Sequence, residues 1–381
     1  MTLRTRGALA HALVSGVILA ACGGGSAGGP KASATAPPTS NDGEGKATAA
    51  STPSGPPTEI DCGDFTTCAV GADGFARCWG RDKEGEIGAG KGAGEHLKRA
   101  AVPELGKVKK VALASRFGCA ILDDGRVKCW GTGRIANDGR SFTEAKPTLV
   151  SGVEQAEELV ASGAVACARG ASGVTCWGTD DKSINTSPSG SFKQIAAGFT
   201  HACALDASGA VVCWGAGDFG TKGLFGKPAG IAGAVQVVTG DRHGCVVTKT
   251  KTVQCWGMND AGQLGIKPDM EAHKKPVTVP GVTGVEQLVA GEASTCALLA
   301  SGAVRCWGAN GEGELGLGRR SPDERPAVVT ALSDVAQLCL ASAHGCALTK
   351  QNKLLCWGAN AFGQVGDGTK ERRAAPTPVV W

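Results

Sequence analysis

The sequence predicts an all-β fold, a seven-bladed β-propeller with four-stranded antiparallel blades. A Cys-Trp-Gly triplet occurs seven times along the 381 residues, at spacings of 37 to 51 residues. Around each triplet, short apolar segments alternate with glycine-rich turns, which is typical of four short strands in each unit. A stacked solenoid is the alternative, but units without distinct caps favour a closed ring. The triplets begin at Cys78, Cys129, Cys176, Cys213, Cys255, Cys306 and Cys356.

The amino-terminal segment predicts export and lipid attachment. Arg4 and Arg6 precede the apolar run 8–21, which is short and rich in small residues for a membrane span. The run ends in Leu-Ala-Ala-Cys, which resembles the bacterial lipoprotein signal, so we expect a signal peptide over 1–21 and a lipid on Cys22. An ordinary signal peptide is the alternative. Residues 22–57, rich in Gly, Ser, Ala and Pro, predict a disordered tether before a propeller over 58–381.

The segment before each triplet predicts a tight hairpin. In CALLASGAVRCWG, which starts at Cys296, pairing the two cysteines leaves the loop Ala300-Ser301-Gly302. The last residue of a three-residue loop adopts the left-handed conformation that glycine tolerates best. The third unit is one residue shorter, and its loop is Ala171-Ser172. The left-handed position holds Gly74, Gly125, Gly209, Gly302, Asn352 and, as the exception, Lys251.

The paired cysteines predict disulfides. Each triplet cysteine has a partner nine or ten residues upstream, directly across the hairpin and within reach of a disulfide. An exported chain folds in an oxidising compartment, which favours disulfides. Free thiols in a tight core are one alternative, and zinc binding is another. The predicted pairs are Cys68–Cys78, Cys119–Cys129, Cys167–Cys176, Cys203–Cys213, Cys245–Cys255, Cys296–Cys306 and Cys346–Cys356.

The tryptophans of the triplets predict contacts between blades. Side-chain alternation places Trp307 on the opposite face of its hairpin from Cys296 and Cys306. Because propeller blades stack face to face, we interpret the seven tryptophans as buried core between blades. Stacking on a sugar ligand is the alternative.

The two ends of the repeat suggest how the ring closes. The first unit begins at Glu59 without a preceding Pro-x-x-Val segment, and Pro376–Trp381 supplies such a segment. We therefore expect the carboxyl-terminal strand to complete the first blade. Cys62 and Cys339 occupy nearly equivalent places on the inner strands of the first and last units. A disulfide between them is a further hypothesis, because these units are neighbours only in a closed ring.

The repeat resembles the regulator of chromosome condensation repeat family. The likeness is carried by segments such as AGFTHACALDASGAVVCWG and WGANGEGELGLG and extends over all seven units. It implies a seven-bladed propeller that binds other proteins through one face of its ring. The family's Gly-x-Asn-x-x-Gly-Gln-Leu-Gly segment is retained at 258–265, 309–316 and 359–366. It is lost after Trp130, Trp177 and Trp214, so blades two to four are divergent.

Composition and motifs argue against several functional classes. The 39 basic and 35 acidic residues nearly balance, without the clustered basic face that nucleic-acid binding requires. The sequence lacks a nucleophile elbow, a zinc-protease helix, a phosphate-binding loop and a calcium-loop spacing. We therefore predict a protein that is not an enzyme and that binds no cofactor, metal or nucleic acid.

The best candidate site is the short turn before each hairpin, which opens at one mouth of the central channel. Its residues differ between blades, and exposed aromatic and charged side chains on loops are typical of protein-binding surfaces. The alternative is that these histidines and phenylalanines only fill the turns. The candidates are Phe65, Arg116, Phe117, Phe199, His201, Arg242, His243, Glu292 and His344.

Together these features predict a monomeric, non-catalytic module that binds or scaffolds an unknown protein partner. A lipid would hold it at the cell envelope, with the outer membrane as the expected location. Three alternatives remain at this point. One is a propeller lyase or hydrolase that uses His201, His243 and Glu292 at the channel mouth. The others are an inhibitor of an envelope or extracellular enzyme and a sugar-binding lectin.

Overall fold

The structure is a computed structural model that describes residues 55–381 apart from 91–93, 135–140, 179–181, 217–224, 227, 229 and 232. In these residues, 27 strands and one short helix are present, and the strands form seven antiparallel sheets. The all-β, seven-bladed class is confirmed. The predicted signal peptide, Cys22 and the tether up to residue 54 lie outside the described residues. Within the described part, no helix is long and apolar enough to cross a membrane.

The blades follow one another along the chain, and within each blade the chain starts at the inner strand and proceeds outward. Blade 1 contains β1 (Pro57–Cys62), β2 (Thr66–Gly71), β3 (Ala76–Asp82) and β4 (Gly94–Ala101). Blade 2 contains β5 (Val108–Leu113), β6 (Phe117–Leu122), β7 (Val127–Arg134) and β8 (Ser141–Leu149). Blade 3 contains β9 (Ala156–Ser162), β10 (Val165–Gly170) and β11 (Gly173–Trp177), followed by α1 (Lys182–Asn185).

The remaining blades have four strands each. Blade 4 contains β12 (Phe192–Ala197), β13 (His201–Asp206), β14 (Val211–Gly215) and β15 (Phe225–Gly226). Blade 5 contains β16 (Ala234–Thr239), β17 (His243–Thr248), β18 (Thr252–Met258) and β19 (Ala272–Thr283). Blade 6 contains β20 (Val285–Ala290), β21 (Ser294–Leu299), β22 (Val304–Asn310) and β23 (Ser321–Val328). Blade 7 contains β24 (Val335–Leu340), β25 (His344–Thr349), β26 (Leu354–Gly358) and β27 (Arg373–Pro378).

Each blade consists of consecutive strands, which corrects the predicted assignment of strands to blades. The segment 276–279 lies in β19, which pairs with β18 as the outer strand of blade 5 and not as the first strand of blade 6. In the same way β27 pairs with β26 of blade 7. The prediction that the carboxyl-terminal strand completes blade 1 is therefore wrong. Blade 1 takes its outer strand from β4, the strand that follows β3 along the chain.

The central hairpin has the predicted register. In blade 6, Cys296 pairs with Cys306. The left-handed loop position has φ of 80° at Gly302 and 59° at Asn352. Lys251 adopts the same conformation, with φ of 60°, although its Cβ disfavours it. The hairpin backbone therefore stays the same in blade 5 at some cost in free energy.

All sixteen cysteines of the described residues are joined in disulfides. The seven hairpin pairs predicted above are present, with Cα atoms 4.0 to 4.1 Å apart. The eighth disulfide joins Cys62 of blade 1 to Cys339 of blade 7, with Cα atoms 5.6 Å apart. It links strands that are 277 residues apart in the chain.

The core lies between blades, where the cysteine face of one blade packs against the tryptophan of the next. In one such cluster, Trp357 of blade 7 packs with Cys296 and Cys306 of blade 6. The seven tryptophans of the triplets are at most 2% exposed, so they are core residues and cannot stack on a sugar ligand. Five of these indole nitrogens also bond to the preceding blade, as in Trp307 Nε1 donating to the Gln263 carbonyl oxygen at 2.9 Å. Trp177 Nε1 has no hydrogen-bond partner among the described residues.

Blades 7 and 1 meet in the same way, and the carboxyl terminus adds to this contact. Trp79 of blade 1 packs in one cluster with the Cys346–Cys356 disulfide of blade 7. The indole Nε1 of Trp381 donates to the carbonyl oxygen of Gly55 at 3.1 Å. The guanidinium of Arg77 lies 5.7 Å from the centroid of the same indole ring. The ring therefore closes through packing, a disulfide and the terminal tryptophan.

Candidate functional site

The seven inner strands surround a cavity of about 260 Å³ on the ring axis. The third residue of each inner strand is polar, although its neighbours in the strand are mostly apolar. Its chemistry divides the ring in two. Blades 4 to 7 have glutamine at this position, and blades 1 to 3 have charged residues. In blade order the seven residues are Glu59, Lys110, Glu158, Gln194, Gln236, Gln287 and Gln337.

Each glutamine bridges its blade to the next one. Gln287 Nε2 donates to the carbonyl oxygen of Leu338 at 3.1 Å, and its Oε1 accepts from the amide nitrogen of Leu338 at 2.9 Å. A single amide side chain thus satisfies both backbone groups of one residue on the neighbouring inner strand. The same pair of bonds joins Gln194 to Val237, Gln236 to Leu288 and Gln337 to Ile60.

The glutamates reproduce half of this bridge. Glu59 accepts from the amide nitrogen of Val111 at 3.3 Å, and Glu158 accepts from that of Ile195 at 3.1 Å. An ionised carboxylate has no proton to donate to the carbonyl group beside that amide. Burial raises the pKa of Glu59 to about 8, and burial also raises the pKa of Glu158. When protonated, each glutamate can donate as glutamine does.

Lys110 lies between these glutamates and is the one cationic residue among the described residues of the cavity wall. Its charge opposes the rise in pKa at Glu59, Glu158 and Asp61. Asp61 accepts from the amide nitrogen of Leu113 at 2.7 Å, and burial raises its pKa to about 7. At the third position of the inner strands, blades 1 to 3 therefore carry charge, and blades 4 to 7 carry neutral glutamine.

The turns between first and second strands lie at one end of the channel, together with the loops between third and fourth strands. We call this end of the ring the turn face. Around blade 1, the rings of Phe65 and Phe362 are 5.5 Å apart, and the Arg81 guanidinium lies 4.0 Å from the Phe65 centroid. Arg81 also bonds the Ser115 carbonyl oxygen of the next turn at 3.0 Å. These contacts connect the turns of blades 1 and 2 to a loop of blade 7.

The glycine of each triplet allows turn and loop to approach closely. Gly308 has φ of 100°, and an added Cβ would meet the carbonyl oxygen of Ala293 in the turn. The amide of the following residue, Ala309, donates to this same oxygen at 2.9 Å. Glycine is therefore required here both by conformation and by space.

The turn face exposes about half of the predicted binding residues. Phe199 is 44% exposed, Arg116, Arg242 and Glu292 are exposed, and Phe65 is half-buried. By contrast, Phe117, His201, His243 and His344 are at most 3% exposed. The prediction that these four contact a partner is wrong, because they fill the space between blades.

The buried residues have structural contacts of their own. Phe117 packs in the cluster that contains Trp177. His344 Nε2 lies 2.9 Å from the hydroxyl of Thr67 in the next blade, and His243 makes the same contact with Thr295. Burial lowers the pKa of His201 to about 3 and that of the other two histidines to about 4. Neutral histidines used between blades do not favour the alternative of an enzyme at the channel mouth.

One group of potential metal ligands occurs in the described part of the chain. It consists of Cys62, His344 and Cys346, whose ligand atoms lie within 4.8 Å of one another. Both cysteines are in disulfides, so neither sulfur is a thiolate. This group is a result of the packing of blades 7 and 1.

Two features of the channel were not predicted from the sequence. The first is the bridge made by the third residue of each inner strand, which recurs as glutamine in four successive units. The second is an acidic group at the turn face, formed by Asp64, Asp241 and Glu292. Burial, together with the charges of Asp64 and Glu292, raises the pKa of Asp241 to about 7. The fixed register of the glutamines could have indicated the first feature, but the second depends on how the turns converge.

Comparison with known families matches the regulator of chromosome condensation (RCC1) repeat at 108–134, 192–221, 234–263, 285–314 and 335–364. A second pattern of the same description matches 252–298. The chain contains RCC1 repeats. Each of the five matches begins at the first residue of an inner strand, which is also where each blade begins in the structure.

The chain resembles several known proteins at low sequence identity. The ultraviolet-B receptor UVR8 of Arabidopsis thaliana is 28% identical over 187 residues, which are 44% of this chain and 42% of the receptor. The chain thus spans less than half the length of this relative. The structure of Prp20p from Saccharomyces cerevisiae aligns with a TM-score of 0.71 at 20% identity, over 85% of this chain and 86% of Prp20p. The ectodomain of the Physcomitrella patens receptor kinase CR4 aligns with a TM-score of 0.54 at 21% identity, over 80% of this chain and 74% of that one.

Proposed function

We propose that this RCC1-repeat propeller binds a protein partner through its turn face and has no catalytic role. The observation that carries this proposal is the exposed set Arg116, Phe199 and Arg242, which stands on turns of three different blades. Aromatic and arginine side chains are the ones that contribute most to protein interfaces. The buried side chains of the repeat, by contrast, make contacts between blades.

The relatives support a binding role. Prp20p is described by its binding to Gsp1p and histones, and a second structure contains Kap60 bound to yeast RCC1 (Prp20). These partners are proteins of different kinds on one fold. The fold therefore supports protein binding in general, and the side chains of the turn face decide which partner is bound.

We also propose that a lipid on Cys22 holds the propeller at the cell envelope. The support is the Leu-Ala-Ala-Cys segment after the apolar run 8–21, followed by the Gly- and Ser-rich residues 23–54. Mass spectrometry of the mature protein is expected to show a lipidated amino-terminal Cys22. In a Cys22→Ser variant, the protein is expected to leave the membrane fraction. An unmodified chain that begins at another residue would contradict this anchor.

The binding proposal is tested by combined substitution of Arg116, Phe199 and Arg242 with alanine. The full chain and this variant are used to capture proteins from envelope extract, with Phe75→Ala as the control. Phe75 is 43% exposed and stands on a hairpin loop at the opposite end of the blades. We expect the triple variant to lose the partner that both other proteins retain. Equal capture by all three proteins would remove the turn face from consideration.

A further inference from the structure

Blade 3 has three strands in the described structure, whereas each of the other six blades has four. Its sheet consists of β9, β10 and β11, so β11 is its outer edge. Residues 178–191 separate Trp177 from the next inner strand, whereas residues 308–334 separate Trp307 from the corresponding strand. The connection after blade 3 is therefore about half as long as that after blade 6. The part of the sequence that forms an outer strand in blade 6 is absent from blade 3.

The outer edge of β11 carries backbone groups that the other blades pair with a fourth strand. The Cα atoms of Cys167 and Cys176 are 4.0 Å apart, which is typical of the antiparallel pair whose two residues exchange no hydrogen bonds. The amide and carbonyl groups of Cys176, and those of Val174 two residues earlier, therefore point away from β10. No other backbone group of the described residues bonds to them. Val174 is also 8% exposed, against 0 to 5% at this position in the other blades.

β11 does not have the features that protect an unpaired sheet edge. Such edges usually contain proline, charged side chains or a β-bulge, each of which hinders the approach of another strand. The sequence of β11 is Gly-Val-Thr-Cys-Trp, and its pairing with β10 has no register shift. In the connection to blade 4, the Ile184 carbonyl oxygen accepts from Trp214 Nε1 at 3.0 Å, and residues 186–191 form no ladder with β11. The edge is therefore suited to pairing with an additional strand.

A cavity lies where the connection from blade 3 reaches blade 4. It has a volume of about 550 Å³, and Phe192 and Val212 of blade 4 are part of its lining. At the same register positions in blade 7, Val335 and Leu355 pack in one cluster with Val329, which directly follows the outer strand of blade 6. Phe192 is half-buried, whereas Val335 is fully buried. The cavity thus lies beside the position at which blade 6 supplies an apolar side chain.

The outer strands of the other blades show which side chains fit beside this edge. In five blades, a valine lies two residues after the one opposite the triplet cysteine. In blade 6 this is Val329, whose amide donates to the Val304 carbonyl oxygen at 3.0 Å. In four blades a proline precedes the residue opposite the cysteine, and its nitrogen faces away from the sheet, so that no ladder bond is lost. The residue opposite the cysteine is small or β-branched in all six blades: Ala100, Thr148, Gly226, Val277, Ala327 and Thr377.

The chain already uses every segment of this pattern that its sequence contains. Pro-x-x-Val occurs four times in the 381 residues. The copies begin at Pro147, Pro276, Pro326 and Pro376. Each copy lies in or extends the outer strand of its own blade, in blades 2, 5, 6 and 7.

We propose that the open edge of blade 3 binds an extended segment of a partner protein with the pattern Pro-(Ala, Thr or Val)-x-Val. The segment adds to β11 as an antiparallel fourth strand, with its small residue opposite Cys176. Its valine donates an amide hydrogen bond to the Val174 carbonyl oxygen, and the valine side chain packs beside Phe192. Addition of a strand to an open sheet edge is a recurring mode of peptide recognition. The site lies on the outer rim of the ring and goes beyond the proposed binding through the turn face.

A synthetic peptide tests the inference directly. The probe is acetyl-Glu-Arg-Pro-Ala-Val-Val-Thr-amide, which has the sequence of residues 324–330 in blade 6. In the control peptide, an ester oxygen replaces the amide N–H of the second valine, which removes the donor to Val174 and nearly preserves the shape. Both peptides are titrated into the full, oxidised chain by calorimetry, and the probe is expected to bind about three- to tenfold more tightly. Equal affinities, or no binding of the probe up to about 1 mM, would overturn the inference.

Hydrogen exchange measured by NMR locates the bound peptide. The amide of Cys176 faces the open edge, whereas Cys306 lies opposite Ala327 in a complete blade. Saturation with the probe is expected to slow exchange at Cys176 at least about tenfold and to leave Cys306 unchanged. Binding of the probe without slower exchange at Cys176 would place the peptide elsewhere and reject the edge.

A variant that supplies the fourth strand from within the chain blocks the site. In this variant, residues 178–191 are replaced by the sequence of residues 308–334, and thermal unfolding verifies that it folds. We expect it to lose binding of the probe, and unchanged binding would contradict the inference. A probe with tryptophan in place of alanine tests the same contact on the native chain. It is expected to bind at least about tenfold more weakly, because the side chain opposite Cys176 has to be small.

Three outcomes separate this inference from the proposed function. The variant with alanine at Arg116, Phe199 and Arg242 is expected to bind the probe as the native chain does, because these residues lie on the turn face. If this variant loses the probe, the peptide binds the turn face and the edge of blade 3 is rejected. If sedimentation shows dimers of the native chain that the variant with the added strand does not form, the edge binds a second copy of the chain and the partner segment is rejected.

Discussion

The ring consists of two arcs that make the same contact with different chemistry. In the glutamine arc, blades 4 to 7, Gln194, Gln236, Gln287 and Gln337 bond both backbone groups of a residue in the next blade. In the charged arc, blades 1 to 3, Glu59 and Glu158 bond the amide alone. The charged arc thus gives up hydrogen bonds and keeps carboxylates in a buried channel. Such a loss of stability is typical of functional regions, where local rules of folding are broken.

The two arcs meet at blades 7 and 1, where the largest effect is expected. Replacing Cys62 and Cys339 by alanine removes a crosslink over 277 residues, which the chain-entropy relation values at about 6 kcal/mol at most. Replacing Cys296 and Cys306 opens a loop of 10 residues, which is valued at about 3 kcal/mol. Denaturant unfolding of both double variants measures the difference. A larger decrease in the free energy of unfolding for the Cys296 and Cys306 variant would contradict closure of the ring by Cys62–Cys339.

Glu59→Gln places in the charged arc the residue type that the glutamine arc has at the same position. The pKa of Glu59 is raised to about 8 in the folded state, so the folded protein binds more protons than the unfolded one between about pH 4.5 and 8. Stability is therefore lost as pH rises through this interval. We expect the variant to be more stable by a few kcal/mol at pH 8, since one pKa unit corresponds to about 1.4 kcal/mol.

Thermal unfolding between pH 5 and 8 is the measurement for Glu59→Gln. The free energy of unfolding of the variant is expected to fall less with rising pH than that of the native chain. The difference is expected to be greatest near pH 8, because the cost of ionising Glu59 in the native chain grows until pH reaches its raised pKa of about 8. Glu271→Gln, at an exposed position, is the matched control. A variant with an unchanged pH slope would show that Glu59 is ionised without penalty.

Gln287→Glu makes the reverse change in the glutamine arc. The new carboxylate would face the carbonyl oxygen of Leu338, to which Gln287 now donates at 3.1 Å. Leaving that buried carbonyl without its donor costs about 1 to 3 kcal/mol at pH 8, and less at pH 5, where the glutamate is protonated more readily. Chemical unfolding at both pH values gives the comparison. Equal stability of variant and native chain at pH 8 would mean that the glutamine bridge contributes little.

The smallest expected effect is at a hairpin loop of the glutamine arc. Lys251 adopts φ of 60°, where the other blades with three-residue loops have glycine or Asn352. Lys251→Gly is expected to stabilise the protein by up to about 1 kcal/mol, because a Cβ disfavours this conformation. The midpoint of thermal unfolding, compared with that of Lys249→Gly in the same hairpin, measures it. A destabilised variant would mean that the pair between Lys251 and Glu286, at 3.1 Å, outweighs the strain.

The sequence predicted what depends on contacts close in the chain. The residue spacing within each hairpin, a segment of about thirteen residues, was enough to predict three features. These are the hairpin register, the seven cystine pairs and the opposite placement of cysteine and tryptophan. The predicted assignment of strands to blades was wrong because the segment before each inner strand can pair with the sheet on either side of it. The position of His344 inside the ring depends on Thr67, which is 277 residues away. Side-chain type alone does not show which turn residues face solvent.

The turn face as the binding surface is tested most directly by photo-crosslinking at two matched positions. A photoreactive phenylalanine analogue replaces either Phe199 on the turn face, 44% exposed, or Phe75 on the opposite face, 43% exposed. Each protein is irradiated in intact envelopes, and crosslinked products are identified by mass spectrometry. A partner protein crosslinked at position 199 and not at position 75 is the expected result. Crosslinks at position 75 alone would contradict recognition through the turn face.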